Sequence, residues 1–576
     1  MKGGGQVKFL RLFPLLADLK TTRGETLGQD LLAGTITAVL LIPQALAYAI
    51  LAGLPAQVGL YASIIPPIVY AFFGTSRSLA VGPVAVAAVM VSAALIPYAQ
   101  GDPDRYLTGA LILSALTGGL LLILAILRLG WLTNFISHSV LSGFTTGAAI
   151  FIIGTQLGPL SGIAVPRQAE FLEILHTLFA NAADLHLLTA LFGALSVAGL
   201  ILARDRLVNL LCRLGLSKTA ASVASRTMPL VLVTLATGVA ATFGMNAQGL
   251  AVVGEIPSGL PAFDLSFLGA DGWIALAPSA AMIALVGYVE SISVAKALAF
   301  RRREKIDPDR ELLALGVTNA AGACVGAMPV AGGFARSMVN FDAGARTQSA
   351  AIVTAIWVGL GAMFFAGLLQ NLPKPVLAAI IVVAVFQLID LRSVRRTWAY
   401  DRGDGLAQAA TIAGVLLLGI EGGLLLGVGM STAFFLYRTS RPHIAVVGRI
   451  QGTEHYRNVC RHAVQTWPQL LIVRIDENLY FANTPRVASR LSDLVLEKDD
   501  LKAVIVICSG VSYIDASGLE MLQSLHHSLK EMSVGLHLAE VKGPVMDRLK
   551  GARFLRELGG AHVHLSTDAA VRSLLR

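Results

Sequence analysis

The chain has 576 residues, 55% of them hydrophobic and only 14% charged, where a soluble protein carries about 25% charged residues. With a mean hydropathy of +0.69, that balance excludes an ordinary soluble enzyme and points to a chain that lies largely in a bilayer. The net charge of +9 is accounted for by basic cytoplasmic loops and anionic lipid, so nucleic acid is not needed to explain it.

In chain order, residues 1–29 are polar and basic (Lys2, Lys8, Arg11, Lys20, Arg23) and lack the short apolar core of a cleavable signal. They read as a cytoplasmic N-terminal segment. From 30 to 438 apolar runs follow one another almost without pause. A span needs ~20 residues, which gives about fourteen spans, several of them short or broken by Gly and Pro. The intervals Arg204–Arg226, Arg301–Arg310 and Arg392–Arg402 are rich in Arg and Lys and are expected in the cytoplasm. Gly101–Arg105, Pro166–Leu187 and Ala247–Gly272 are poorer in base, carry acids, and are expected outside. An even number of spans then returns Arg438 to the cytoplasm.

Two breaks interrupt the apolar pattern. Ser78–Met90 (SLAVGPVAVAAVM) and Cys324–Asn340 (CVGAMPVAGGFARSMVN) each have an extended, Gly- and Pro-containing lead followed by a short helical segment. Paired interrupted spans mark binding sites in transporters, because a helix start presents free N–H groups and a partial positive charge. Two such starts meeting at mid-membrane form an anion cradle. The competing account is that Gly and Pro only permit close packing or kinks.

Single residues carry further signals. Glu290 lies inside the apolar run Ser279–Lys296 (SAAMIALVGYVESISVAK). Inserting its charge costs ~2.5–3.5 kcal/mol, so a role in proton or cation handling is expected, the alternative being a hydrogen bond that holds helix packing. Arg336, inside the second break, either supplies a fixed positive field to a bound anion or pairs with Glu290. The field role is preferred to direct ligation. Gln44 and Tyr48, four residues apart, share a helix face and suit an anion site that must release its cargo. Glu421, in GIEGG between two apolar runs, reads as an exposed hairpin tip.

Past 438 the pattern changes to short strands and amphipathic helices. Leu470–Ile475 and Ala503–Cys508 read as buried parallel strands, Thr484–Glu497 and Ser517–Glu531 as helices, and Gly535–Ala539 and Val563–Leu565 as further strands. The expectation is a small cytoplasmic α/β domain over 439–576. Asp515 or Ser517 is placed to cap its second helix. The four cysteines and eleven histidines show no metal-ligand spacing, and no nucleophile–base set or phosphate loop appears. No cofactor, metal or enzymatic activity is therefore expected.

These segments together resemble the sulfate permease (SulP) family of anion transporters along nearly the whole chain. PQALAY (Pro43–Tyr48), LAGLPAQVGLYAS (Leu51–Ser63) and FGTSRSLAVGPVAV (Phe73–Val86) are similar to the first three helices of that family. ELLALGVTN (Glu311–Asn319), GGFARSMVN (Gly332–Asn340) and AGARTQ (Ala343–Gln348) are similar to the ninth and tenth. YFAN (Tyr480–Asn483) and VSYIDASGLEML (Val511–Leu522) resemble a STAS domain.

The resemblance implies an α-helical polytopic membrane protein of two inverted seven-helix repeats, with core and gate domains, a cytoplasmic STAS domain and a homodimeric assembly. It places substrate between the third and tenth helix termini, lined by Gln44, Tyr48, the backbone of Gly82, Pro83, Val84 and Ala85, and Phe334, Ala335 and Arg336. Glu290 takes the cation-coupling position, and Ser517 a position phosphorylated in regulatory relatives of STAS domains. One departure concerns the tenth-helix motif, commonly Ser-Arg-Ser, which here is Ala335-Arg336-Ser337. The expected function is proton-coupled uptake of sulfate or a related oxyanion or dicarboxylate. The alternatives are sodium-coupled bicarbonate uptake, anion exchange, or a membrane-anchored signalling protein. The Ala- and Gly-rich composition suggests a bacterial inner membrane.

Overall fold

A computed structural model describes residues 14–16, 24–135, 137–166, 169–215, 217–257 and 259–575, so most of segment 1–29 lies outside the described residues. Contacts along the chain divide it at Ser431/Thr432 into a helical unit and a smaller α/β unit.

Among the described residues of the helical unit, seven helical stretches are long and apolar enough to cross a bilayer on length and composition alone. Shorter helices complete the set. In chain order the first seven spans are Gly24–Leu51, Ala56–Phe73, Ala85–Ala99, Pro103–Ile126, His138–Ser161, Leu187–Leu202 and Lys218–Thr242. The eighth to twelfth are Trp273–Arg302, Pro308–Ala323, Phe334–Asp342, Ser349–Phe364 and Lys374–Phe386. The long helix Arg402–Thr439 breaks at Gly419 (φ 79°, ψ 173°), a conformation essentially confined to glycine, into spans 402–418 and 420–439.

The packing repeats with an offset of seven. The first span packs on the eleventh as the eighth packs on the fourth, and the ninth meets the fourth as the second meets the eleventh. The second and ninth, and the fifth and twelfth, pack on each other. An odd offset reverses chain direction across the membrane, so the two halves are inverted repeats. Small residues set the helix spacing: a methyl on Gly59 would lie 1.9 Å from the Ala45 carbonyl oxygen, and one on Gly118 would lie 2.5 Å from the Ala320 nitrogen.

The inverted halves meet at a two-stranded antiparallel ladder, β1 (Val81–Gly82) on β2 (Ala331–Gly332), with Val81 opposite Gly332 and Gly82 opposite Ala331. Each strand leads directly into a short helix, the third and tenth spans, as the two sequence breaks require.

The α/β unit holds one six-stranded sheet, formed by β3 (Ile444–Arg449), β4 (Tyr456–Asn458), β5 (Leu470–Ile475), β6 (Ala503–Ile507), β7 (Gly535–Ala539) and β8 (Val563–His564), in the order β4-β3-β5-β6-β7-β8. β5 to β8 are parallel, while β3 runs antiparallel to both neighbours. Alternate residues of β5 feed opposite faces: Leu471, Val473 and Ile475 pack with Val487, Leu491 and Leu522 of the covering helices, and Leu470 and Ile472 with Ala570 and Val571. Both faces being covered explains why these strands read as continuous apolar runs. β3, β4 and the helices Gly543–Gly551, Phe554–Leu558 and Thr567–Leu575 were not singled out from sequence.

Candidate functional site

The third span starts at Ala85 after Val84, and the tenth starts at Phe334 after Gly333; neither start is capped by a side chain. Extended conformation before each start (Val84 φ −129°, ψ 148°; Gly333 φ −84°, ψ 127°) delivers both helices from the shared β1/β2 ladder. First-turn N–H groups of both helices therefore stand at one locus with their partial positive charge, and no side chain quenches it.

The leads are held by a dense set of bonds. The Asn319 side chain donates to the Val330 carbonyl (3.1 Å) and accepts from the Val330 amide (2.8 Å). The Gly332 amide donates to the Ser291 hydroxyl (2.7 Å), and the Ala80 amide to that of Ser337 (2.9 Å). Gln348 donates to the carbonyls of Ser76 and Leu79. This rigid frame fixes the helix starts before any ligand arrives.

Arg336, 2% exposed, donates to the carbonyl of Pro83 (2.9 Å) and reaches that of Ala80 at 3.4 Å, which ties the tenth span to the lead of the third. The guanidinium lies between two glycines: a methyl on Gly82 would stand 3.2 Å from Nη1, and one on Gly333 3.0 Å from Nη2. Its Nε is buried without a partner among the described residues. Among those residues no ion pair joins Arg336 to Glu290, so the pairing alternative is not what the geometry shows.

Gln44 (5% exposed) and Tyr48 (8% exposed) lie on one face of the first span, and Glu290, half-buried, is on the eighth. None of the three makes a hydrogen bond among the described residues, yet their polar atoms are not sealed from accessible space. Tyr48, Glu290 and Arg336 lie within electrostatic reach of one another. Phe334, the first residue of the tenth span, is 47% exposed. Tyr48, Glu290 and Arg336 are thus brought near one another and, through Arg336, to the two open helix starts, while Ser517 lies in the α/β unit.

Two buried acids of the helical unit carry no mark of their own in the sequence beyond a place at the edge of an apolar run. Glu311, 0% exposed at the start of the ninth span, accepts from the Tyr70 hydroxyl (2.7 Å), the Thr75 amide (2.7 Å) and hydroxyl, and the Ser76 amide (3.1 Å). Asp30, 1% exposed, accepts from the Arg346 amide (2.6 Å) and from the amide (3.1 Å) and hydroxyl (2.6 Å) of Thr347. Each latches a loop of the opposite repeat.

Glu421 departs from expectation in its exposure, not its place. It follows the Gly419 turn at which the thirteenth and fourteenth spans fold back on each other, with Gly414 against Gly423 and Thr411 against Gly427, but it is half-buried and its Oε1 is buried without a partner among the described residues. It lines a separate cavity of about 1030 Å³ together with Glu170, Asp184, His186 and Lys374. In the α/β unit Asp515, not Ser517, caps the helix Ala516–Glu531, accepting from the Gly518 amide (2.8 Å) and holding the Phe481 amide (2.8 Å) with its other oxygen.

The sulfate permease family model matches residues 27–411 and the STAS domain model matches 462–570. Sulfate transporter 4.1, a chloroplastic protein of Arabidopsis thaliana, is 36% identical over 92% of this chain and 77% of its own length. A probable sulfate transporter of Mycobacterium tuberculosis is 32% identical over 95% of each chain. Among solved structures, the murine Solute Carrier 26 family member A9 anion transporter in the inward-facing state superposes with a TM-score of 0.90 at 21% identity, covering 100% of this chain and 96% of that one. The transmembrane domain of a cyanobacterial bicarbonate transporter gives a TM-score of 0.60 at 24% identity over 71% of this chain and 99% of its own. At these identities the structural likenesses bear on fold alone.

Proposed function

The chain belongs to the sulfate permease family, and from that premise we propose that this multi-pass membrane anion transporter takes up sulfate, or a related oxyanion or dicarboxylate, coupled to protons. The observation that carries the reading is the convergence of two helix starts without side-chain caps on one antiparallel ladder, with a Glu290 that has no partner among the described residues. The anion is held by the first-turn N–H groups of Ala85 and its neighbours and of Phe334 and Ala335, with Gln44 and Tyr48 as neutral donors. Arg336 supplies a fixed positive field while bracing the two leads. Glu290 binds the coupling cation. The two inverted repeats then expose this site to each side in turn.

Charge sets the stoichiometry to test. Import of each negative charge into an inside-negative cell is opposed by ~2.3 kcal/mol per 100 mV. Sulfate with one proton still moves one net negative charge, so a second proton or another cation completes a neutral cycle. The proposal also includes a homodimer, both termini in the cytoplasm of a bacterial inner membrane, and Ser517 as a regulatory position.

The test is labelled sulfate uptake into proteoliposomes under an inward proton gradient, with wild type and Glu290→Gln. Gradient-driven uptake that the substitution removes is expected. Full gradient-driven uptake by Glu290→Gln overturns the coupling role, and wild type that ignores sulfate moves the substrate to bicarbonate or a dicarboxylate. Replacing potassium by sodium at fixed pH shows whether Glu290 serves sodium instead.

A further inference from the structure

Between the twelfth and thirteenth spans lies the helix Leu391–Tyr400 (LRSVRRTWAY), whose three faces differ in character. One face is pinned to the bundle. Ser393, 8% exposed, accepts from Gln408 Nε2 (3.2 Å) and from the Ser142 hydroxyl (3.3 Å), and Gln408 also donates to Ser142 (3.2 Å). Asp390 caps the helix by accepting from the Ser393 amide (2.9 Å), while its own amide donates to Thr146 (3.3 Å). The fifth and thirteenth spans thus hold this helix in place.

At 100° per residue, Leu391, Val394 and Trp398 fall in a stripe about 60° wide on a second face. Leu391 is 60% and Trp398 47% exposed. Arg392, Arg395 and Arg396 form a third face, all exposed. Arg396 makes a 3.5 Å pair with Asp390 at 77% side-chain exposure, while Arg392 and Arg395 have no acidic partner among the described residues. Tyr400, 95% exposed, closes the helix.

An apolar stripe with Trp, a basic stripe beside it and a rigid attachment to membrane spans define a helix that lies in the plane of the interface. The interval is one of the basic ones, so the positive-inside rule puts it at the cytoplasmic leaflet. We propose that this helix is a binding site for anionic phospholipid headgroups: Leu391, Val394 and Trp398 enter the headgroup–acyl boundary, and Arg392 and Arg395, assisted by Arg396, hold the phosphodiesters. Each Arg near an anionic surface strengthens attraction about fivefold. Because the opposite face is bonded to Ser142 and Gln408, bound lipid braces the hairpin of the twelfth and thirteenth spans. The inference holds whichever anion is carried.

The full-length protein is reconstituted in vesicles of phosphatidylcholine mixed with phosphatidylglycerol, with one or the other lipid brominated on its acyl chains. Trp398 quenching is read as the difference between wild type and Trp398→Phe. Brominated phosphatidylglycerol should be enriched around Trp398 by about fivefold or more. High salt, and R392Q/R395Q/R396Q together, should bring that enrichment close to one. Arg395→Gln alone is the second variant if the triple one does not fold, and should give an intermediate value. Equal quenching by the two lipids, or a preference that survives loss of the three arginines, overturns the proposal. Loss of the preference on adding millimolar inorganic phosphate also overturns it, by showing a site for soluble anions.

Discussion

The membrane unit buries carboxyl groups in two regions that treat them differently. Where each repeat latches a loop of the other, Glu311 and Asp30 are shut away from solvent and surrounded by donors, two of them backbone amides in each case. Near the crossing of the third and tenth spans, Glu290 faces accessible space and has no partner among the described residues. Burial of charge is common to both and so does not discriminate function from architecture. The accounting of partners does. A saturated carboxylate has nothing left to bind, whereas an unpartnered one beside open helix starts can take up a cation and release it.

The largest expected effect follows from emptying a saturated site. Glu311→Ala strands the Tyr70 hydroxyl and the Thr75 and Ser76 amides in a sealed environment, at a cost of about 3–5 kcal/mol. The lead into β1 should loosen, and thermal unfolding in detergent should fall steeply with loss of folded yield. A variant as stable as wild type would dissolve the distinction drawn above.

The reciprocal experiment is Glu290→Gln. Among the described residues nothing bonds to that carboxyl, so the unfolding temperature should be nearly unchanged, while gradient-driven uptake falls about a hundredfold or more. Unfolding that shifts as far as it does for Glu311→Ala would make Glu290 a packing residue.

The α/β unit offers an intermediate case, in which titratable groups are partnered mainly by their own kind. His537, 6% exposed, meets His564 at 3.1 Å and stacks on His562 at 4.3 Å between ring centres. Burial first, then His562 and His564, push His537 down to about 4, and burial together with His562 lowers His564. His526, also lowered, Glu557 and Lys530 are charged or titratable neighbours of the same cluster. With the folded value below the ordinary ~6.5, the unfolded chain takes up protons first, so stability is full above that pH and is lost as pH falls toward 4. Between pH 7 and 5 the loss from His537 is about 2 kcal/mol. Hydrogen exchange at Gly535–Ala539 in the full chain should quicken over that range, and His537→Phe should flatten the profile.

Much of the site was legible because its residues carry local signals. The leads before Ala85 and Phe334 announce themselves by Gly and Pro in apolar runs, and Glu290 by a charge where none is tolerated without cause. The ladder between Val81 and Gly332 was not legible, since its partners are some 250 residues apart and nothing local sets their register. The same holds for Glu311, whose donors come from the Tyr70–Ser76 turn across the repeats. Glu421 reads as a hairpin tip because an acid flanked by glycines signals a turn, and the chain does turn at Gly419; its partial burial against a cavity was not legible, because that lining comes from distant segments. In the α/β unit, β5 and β6 read clearly because both faces are covered. β3 alternates buried and half-buried residues and β4 has three residues, too little pattern to separate them from loop.

The smallest expected effect tests how finely the open region is tuned. Ala335 follows the first residue of the tenth span, where the family motif commonly has serine, and it is half-buried beside the helix start. A hydroxyl there adds one neutral donor to a cradle already built from backbone N–H groups. A single such bond nets about 0.5–1.5 kcal/mol when it replaces water. Ala335→Ser should therefore change the apparent affinity for the transported anion by about twofold to tenfold, with the unfolding temperature unchanged. The direction carries information: tighter binding of tetrahedral oxyanions with little change for planar bicarbonate would mean that the missing hydroxyl tunes selectivity. Equal shifts for every anion would mean that it only adds field, the role proposed for Arg336 in its place between Gly82 and Gly333.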